Sequence, residues 1–235
     1  MRLGAIAIIS LALWLSAPLA ASAQKKGRSV DRIWASPEIG SIPLGSIALL
    51  PVVTFDGSLE ARRTTEMSIG QSFRGSGHRW VSATTSREFL RRAGGDSLID
   101  AVNQIVLKHE RIDSLSAAAI CKAARTRAVL TVRVDQWEQR ILEFNQSGHP
   151  TTTVQLKAAL VDSTGRLLWS ASGGETLEGP YQDANASAVG IKSSGLNNTP
   201  MTNQGGAPTF QETITKLLTR WSLEFPKKAA APATE

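Results

Sequence analysis

A chain of 235 residues that is 42% hydrophobic holds enough apolar material for one sizeable core, so a largely unfolded polypeptide is excluded and a single domain is the expected count. One cysteine excludes an internal disulfide, which leaves packing as the source of stability. The net charge of +6 is mildly basic and does not by itself select a partner.

The first residues read as an export signal. Arg2 supplies a positive start, Ala5 to Leu15 form an apolar run, Pro18 breaks it, and Ala21-Ser22-Ala23 is a small-x-small cleavage site. Cleavage after Ala23 makes Gln24 the mature N-terminus and places the protein in the periplasm or outside the cell. The run is shorter than the roughly 20 apolar residues a membrane span needs, so no transmembrane segment is expected in the mature chain. No cysteine lies near the site to carry a lipid.

Residues 24–45 are polar and carry Pro37, Gly40, Pro43 and Gly45, the composition of a loosely ordered lead-in. The fold is expected to start at Ser46, where residues 46–53 (SIALLPVV) suit an interior strand covered on both faces. A helix follows from Ser58 to about Arg74 with a weak apolar face (Leu59, Met67, Gly70, Phe73); Gly75-Ser76-Gly77 stops it, and Arg79 to Ser82 reads as extended. Thr85-Ser86-Arg87-Glu88 matches a capping box for a short helix ended by Gly94-Gly95. Further helices are expected from Asp96, with Leu98, Val102, Ile105 and Val106 at helical spacing, and from Asp113 to Arg125.

From Ala128 the period changes to two. Ala128, Leu130, Val132 and Val134 predict a strand with one face inward that runs out near Trp137. Alternation at Val154, Leu156, Ala158 and Leu160, a turn at Asp162-Ser163-Thr164-Gly165, and Leu167, Trp169 and Ala171 on the return predict a β-hairpin. Periodicity is then lost, and residues 179–208 read as a long mobile loop. Thr209-Phe210-Gln211-Glu212 is a second capping box, opening a final amphipathic helix with Phe210, Ile214, Leu217, Leu218 and Trp221 on one stripe. Pro226 ends the domain, and residues 227–235 read as a disordered tail.

Signals for chemistry are sparse. His78, His109 and His149 have no ligand spacing, so no metal is expected. There is no nucleophile elbow and no phosphate loop, and no cofactor is expected. Cys121, inside an alanine-rich helix, reads as a buried inert thiol. Asp135, Glu138 and Glu143 lie close along the chain and leave a carboxylate hydrolase open, although a solvated strand face accounts for them better. An exposed tryptophan at Trp137 would anchor an interface. The basic pairs Arg62-Arg63 and Arg91-Arg92, with Lys122, Arg125 and Arg127, offer charge to an anionic envelope surface or an acidic partner, since an exported protein meets little nucleic acid.

The order of elements, a strand ending in Leu50-Pro51, an alanine-rich helix running into residues 127–132 (RAVLTV), and the hairpin over 160–170 (LVDSTGRLLWS) resemble a superfamily of periplasmic domains. It includes the curli secretion-channel lipoprotein, activator lipoproteins of penicillin-binding proteins, and the N-terminal domain of the Tol-Pal protein TolB. The resemblance spans about residues 46–172 and the last helix. It implies an α/β fold, a mixed β-sheet flanked by helices, and a non-enzymatic role in binding other envelope proteins or assembling into homo-oligomers. It transfers no catalytic residue. The absent lipidation cysteine departs from the pattern and puts membrane tethering in doubt. The expected contact elements are the 179–208 loop with Tyr181, the strand end at Trp137, and Arg91 and Arg92; the alternative is a module that binds a lipid, glycan or other small molecule.

Overall fold

The computed structural model describes residues 31–143, 146–183 and 206–228. The leader, residues 24–30, residues 184–205 of the expected loop, and the tail beyond Lys228 lie outside the described residues. The elements are β1 (Arg32–Ala35), β2 (Ser46–Leu49), β3 (Val53–Thr54), α1 (Leu59–Ser72), β4 (Arg79–Val81), α2 (Ala83–His109), α3 (Ser114–Ala124), β5 (Ala128–Arg140), β6 (Thr151–Asp162), β7 (Leu167–Glu178) and α4 (Phe210–Leu223). They form an α/β fold, a mixed seven-stranded sheet of order β1-β7-β6-β5-β2-β4 with β3 beside β5. Strands β5, β2 and β4 are parallel, and β1, β7, β6 and β5 run antiparallel to their neighbours.

Helices cover both faces. On one, Ile69 and Phe73 of the α1 region and Ile214, Leu217, Leu218 and Trp221 of α4 pack on Leu130, Val132, Leu156 and Trp169. On the other, Leu90, Val102 and Val106 of α2 and Ile120 and Cys121 of α3 pack on Val129 and Val161. Among the described residues no helix is long and apolar enough to cross a membrane.

Local chemistry sets most boundaries. Ser58, Ser82, Asp113 and Thr209 each accept a backbone N–H at a helix start, and Thr209 and Glu212 make the reciprocal capping box. At the hairpin, Asp162 accepts from the backbone N–H of Thr164 and Arg166, while Gly165 takes φ +81°.

Five expectations need correction. Residues 24–45 are not all lead-in, because Arg32–Ala35 pairs with β7 as an outer strand of the sheet. The helix after β4 starts at Ala83, capped by Ser82, so Thr85 does not open it. Gly94 and Gly95 leave helical geometry and kink this helix without separating two elements. The buried face of α1 is Ala61, Thr65, Ser68 and Ile69, whereas Leu59 and Met67 are exposed; α4 lies against this helix, and Gln211 Nε2 donates to Ser68 Oγ at 3.0 Å. Strand β5 is buried on both faces up to Val134 and continues past Trp137 to Arg140. The expected loop is structured at its start: Gly179 N–H donates to Pro150 O, and Gly148 and Gln182 exchange backbone bonds.

Candidate binding groove

Helices α2 and α3 leave part of their sheet face uncovered. Beside the end of α2, a groove of about 360 Å³ runs over β6, β7 and β1. Its floor is small and polar, with Ala159, Ser170 and Ser172; its outer edge is Arg32 and Trp34, and its wall is His109, Glu110 and Arg111. The strand register explains the floor, since Ser170 stands opposite Trp34 and Ser172 opposite Arg32. Trp34 is 47% exposed, whereas Trp169 and Trp221 are fully buried. A large aromatic ring held open to solvent on an outer strand is a contact surface in search of a partner.

The wall is set by a helix end. Glu110 closes α2 in a left-handed conformation (φ 65°), and its carbonyl accepts from Thr131 Oγ1 of β5 at 3.2 Å. Behind it sits an ionic cluster. Arg133, a charged residue in the middle of the sheet, donates to Asp135 at 2.6 Å, to Glu110 at 3.1 Å and to Leu107 O at 2.8 Å. Lys157 donates to Glu110 at 2.6 Å. Burial lowers the pKa of the Arg133 guanidinium, but the bonds and charges of Asp135 and Glu110 outweigh it, so the net shift is upward. Glu110 is held below the usual carboxylate range, first by the Lys157 hydrogen bond. Phe55 lies over the Arg133 guanidinium at 5.1 Å. Asp135 is therefore engaged by two cations.

The other candidates from the sequence fall in separate places. Trp137 is half-buried and stacks on Phe210, with centroids 4.2 Å apart and an interplanar angle of 11°, so it closes the edge of the core under α4. Arg91 is tied to Glu88 and Asp96 on the outer surface of α2, with Arg92 exposed next to it. Tyr181 is exposed at the far end of the β6–β7 ribbon, where its ring packs edge-on to His149. Glu138 accepts from Gln136, and Glu143 lies beyond the end of β5. Cys121 is buried, and burial pushes its thiol pKa up, the reverse of what a nucleophile needs. Of the histidines, His78 bonds Pro226 O, His149 bonds Gly179 O, and only His109 reaches the groove. Among the described residues no cluster of three metal-ligating groups occurs.

The sequence does not single out Arg32, Trp34 or Lys157. The available signal is the alternation Arg32-Ile33-Trp34, in which Ile33 packs on the core and its neighbours face out.

No family model matches the chain, and no curated protein matches it. Among solved structures it is similar to lipoprotein GNA1162 from Neisseria meningitidis (20% identity, 57% of this chain and 83% of that one, TM-score 0.43). It is also similar to PelC, described as a dodecamer, from Paraburkholderia phytofirmans (14% identity, 85% and 99%, TM-score 0.43). A third likeness is to the C-terminal domain of LpoB from Salmonella enterica (19% identity, 57% and 84%, TM-score 0.34). At these scores none of the three assigns a role to a residue of this chain.

Proposed function

We propose that this protein is a non-enzymatic interaction module of the bacterial cell envelope, and that an acidic, extended segment of a partner protein lies in the groove against Trp34. The observation that carries the reading is an exposed tryptophan on an outer strand beside an uncovered, small-residue sheet floor. Among the described residues β1 has one strand neighbour, so its outward N–H and C=O groups face no other strand, the geometry that strand addition uses. Charge selects the partner's chemistry: Arg32 and Arg111 flank the groove with no ion pair among the described residues, while Lys157 and Glu110 satisfy each other. The export signal through Ala23 supports a periplasmic site of action and belongs to the same proposal, as does a single domain that ends near Pro226, with its beginning moved to β1.

The test is site-specific photo-crosslinking in native envelopes, with the reactive side chain at position 34 and, as a control, at Leu115, exposed on α3. The expected result is a discrete adduct from position 34 whose crosslinked peptide is rich in Asp and Glu, and which disappears in Arg32→Glu/Arg111→Glu. An adduct indifferent to that charge reversal, or none above the Leu115 level, sinks the reading.

A further inference from the structure

We propose that the end of the sheet where its parallel strands begin is a docking surface for an anionic lipid bilayer. Because β2, β4 and β5 are parallel, their first residues share one end, and the register places Ser46 beside Arg79 and Ile47 beside Ala128. Arg79 N–H donates to Gly45 O and Arg127 N–H to Ser46 O, so these two arginines flank the entry of β2 on opposite sides. Arg79 Nη2 reaches Arg125 O at 3.4 Å, and Arg127 Nη1 reaches Pro43 O at 3.4 Å. Both guanidinium groups are steadied by backbone carbonyls, which leaves their charge uncompensated.

The end of the domain returns to the same place. Lys228 N–H donates to Ser76 O, in the short 3-10 turn opened by Arg74, and Lys227 and Lys228 border a shallow depression with His78 and residues 39–45. Arg74, Arg79, Arg125, Arg127, Lys227 and Lys228 are all exposed, and none has an ion pair among the described residues. The nearby carboxylates do little to offset them. Asp162 stands opposite Ala128 but is taken up by Thr164 and Arg166, and Glu38 also pairs with Arg166. Glu224 remains as a free acidic neighbour a few residues before Lys227.

The six cations come from four separate segments: the turn after α1, the start of β4, the junction of α3 with β5, and the C-terminal stretch. They cover an area and do not line a channel, which fits a two-dimensional array of phosphate headgroups better than one extended acidic chain. This surface is independent of the groove reading, because Arg32 and Arg111 are not part of it.

The experiment is co-sedimentation of the purified chain, from residue 24 onward, with neutral phosphatidylcholine vesicles and with phosphatidylcholine–phosphatidylglycerol vesicles, over a salt series. Binding to the anionic vesicles alone is expected, weakening as salt rises. Arg125→Glu/Arg127→Glu should lower the partition coefficient at least about tenfold. Arg63→Glu/Arg140→Glu, an equal change of charge at exposed sites elsewhere, should leave it within about twofold. If the first variant does not fold by circular dichroism, Lys227→Glu/Lys228→Glu takes its place with the same expected loss. No excess binding to anionic vesicles, equal loss in both double variants, or capture by soluble polyglutamate without vesicle binding overturns the proposal.

Discussion

Gly173 and Asp31 approach so closely that a Cβ on the glycine would overlap the aspartate: it would lie 3.0 Å from Asp31 Cγ and 3.2 Å from its Cα, with Oδ1 nearer still. The missing side chain lets Asp31 reach Arg220 of α4 at 2.7 Å, while Arg220 also grips Glu175. One glycine thus permits the ionic clasp that holds the start of β1 to the last helix.

Gly173→Ala is therefore expected to destabilise the protein by about 1–3 kcal/mol, the usual range for overpacking a filled site. Urea unfolding checks this. In an Asp31→Ala background the same substitution should cost markedly less, because the atoms it collides with are gone; equal costs in both backgrounds refute the clasp.

Gly165 sets the hairpin against a helix. Its φ of +81° already disfavours a side chain, and a Cβ there would meet Ser114 Cα at 2.5 Å and Ser114 N at 2.9 Å. Backbone cannot swing aside as a flexible side chain can. Gly165→Ala is expected to cost about 2–4 kcal/mol, combining left-handed strain with overlap at the start of α3, and to lower Tm correspondingly.

Arg133 is 8% exposed at its side chain and Asp135 16%, so each is the other's main counter-charge in a place with little water. Arg133→Leu should cost about 3–5 kcal/mol by leaving Asp135 and the Leu107 carbonyl without their donor. The double variant Arg133→Leu/Asp135→Leu should recover part of that loss. A double-mutant cycle in urea measures the coupling, and additive effects refute the pairing.

His78 makes stability depend on pH above the carboxylate range. Burial holds its imidazole below the ordinary value, against the opposing bond to Pro226 O and with help from the charge of Lys228. The unfolded chain takes up its proton first, near pH 6.5. The contribution is fully present above that value and is lost as pH falls from there toward the folded value. Nδ1 is buried without a partner, so a second ring proton has nowhere to bond. Tm should fall more between pH 7.5 and pH 5.5 in the wild type than in His78→Gln; identical slopes would count against this assignment.

The elements legible in the sequence are those whose evidence is local. Asp113 and Arg125 bracket α3 at its two caps, Thr209 and Glu212 open α4, and Asp162 to Gly165 turn the hairpin. Strand β1 is different. Four residues in a polar stretch become a strand only because Ser170 and Ser172 wait on β7, and nothing within reach along the chain announces that. The inner side of α1 was hidden for another reason, since Thr65 and Ser68 are buried where hydrophobic spacing points to Leu59 and Met67. Thr131 and Arg133 look solvated in an alternating strand until the α2 end supplies the bonds that let them be buried. The groove draws on β1, β6, β7 and the end of α2, four stretches that become neighbours only in the folded sheet.

The pairing of β1 with β7 also governs when the molecule can take shape. Arg32 meets Ser172, about 140 residues later, and the clasp to Arg220 comes later still. Contacts so distant along the chain close late and slowly. A polypeptide emerging from the ribosome front end first therefore cannot seal this margin until nearly all of it has been made, and in the interval it stays a thread that a narrow secretion channel can accept.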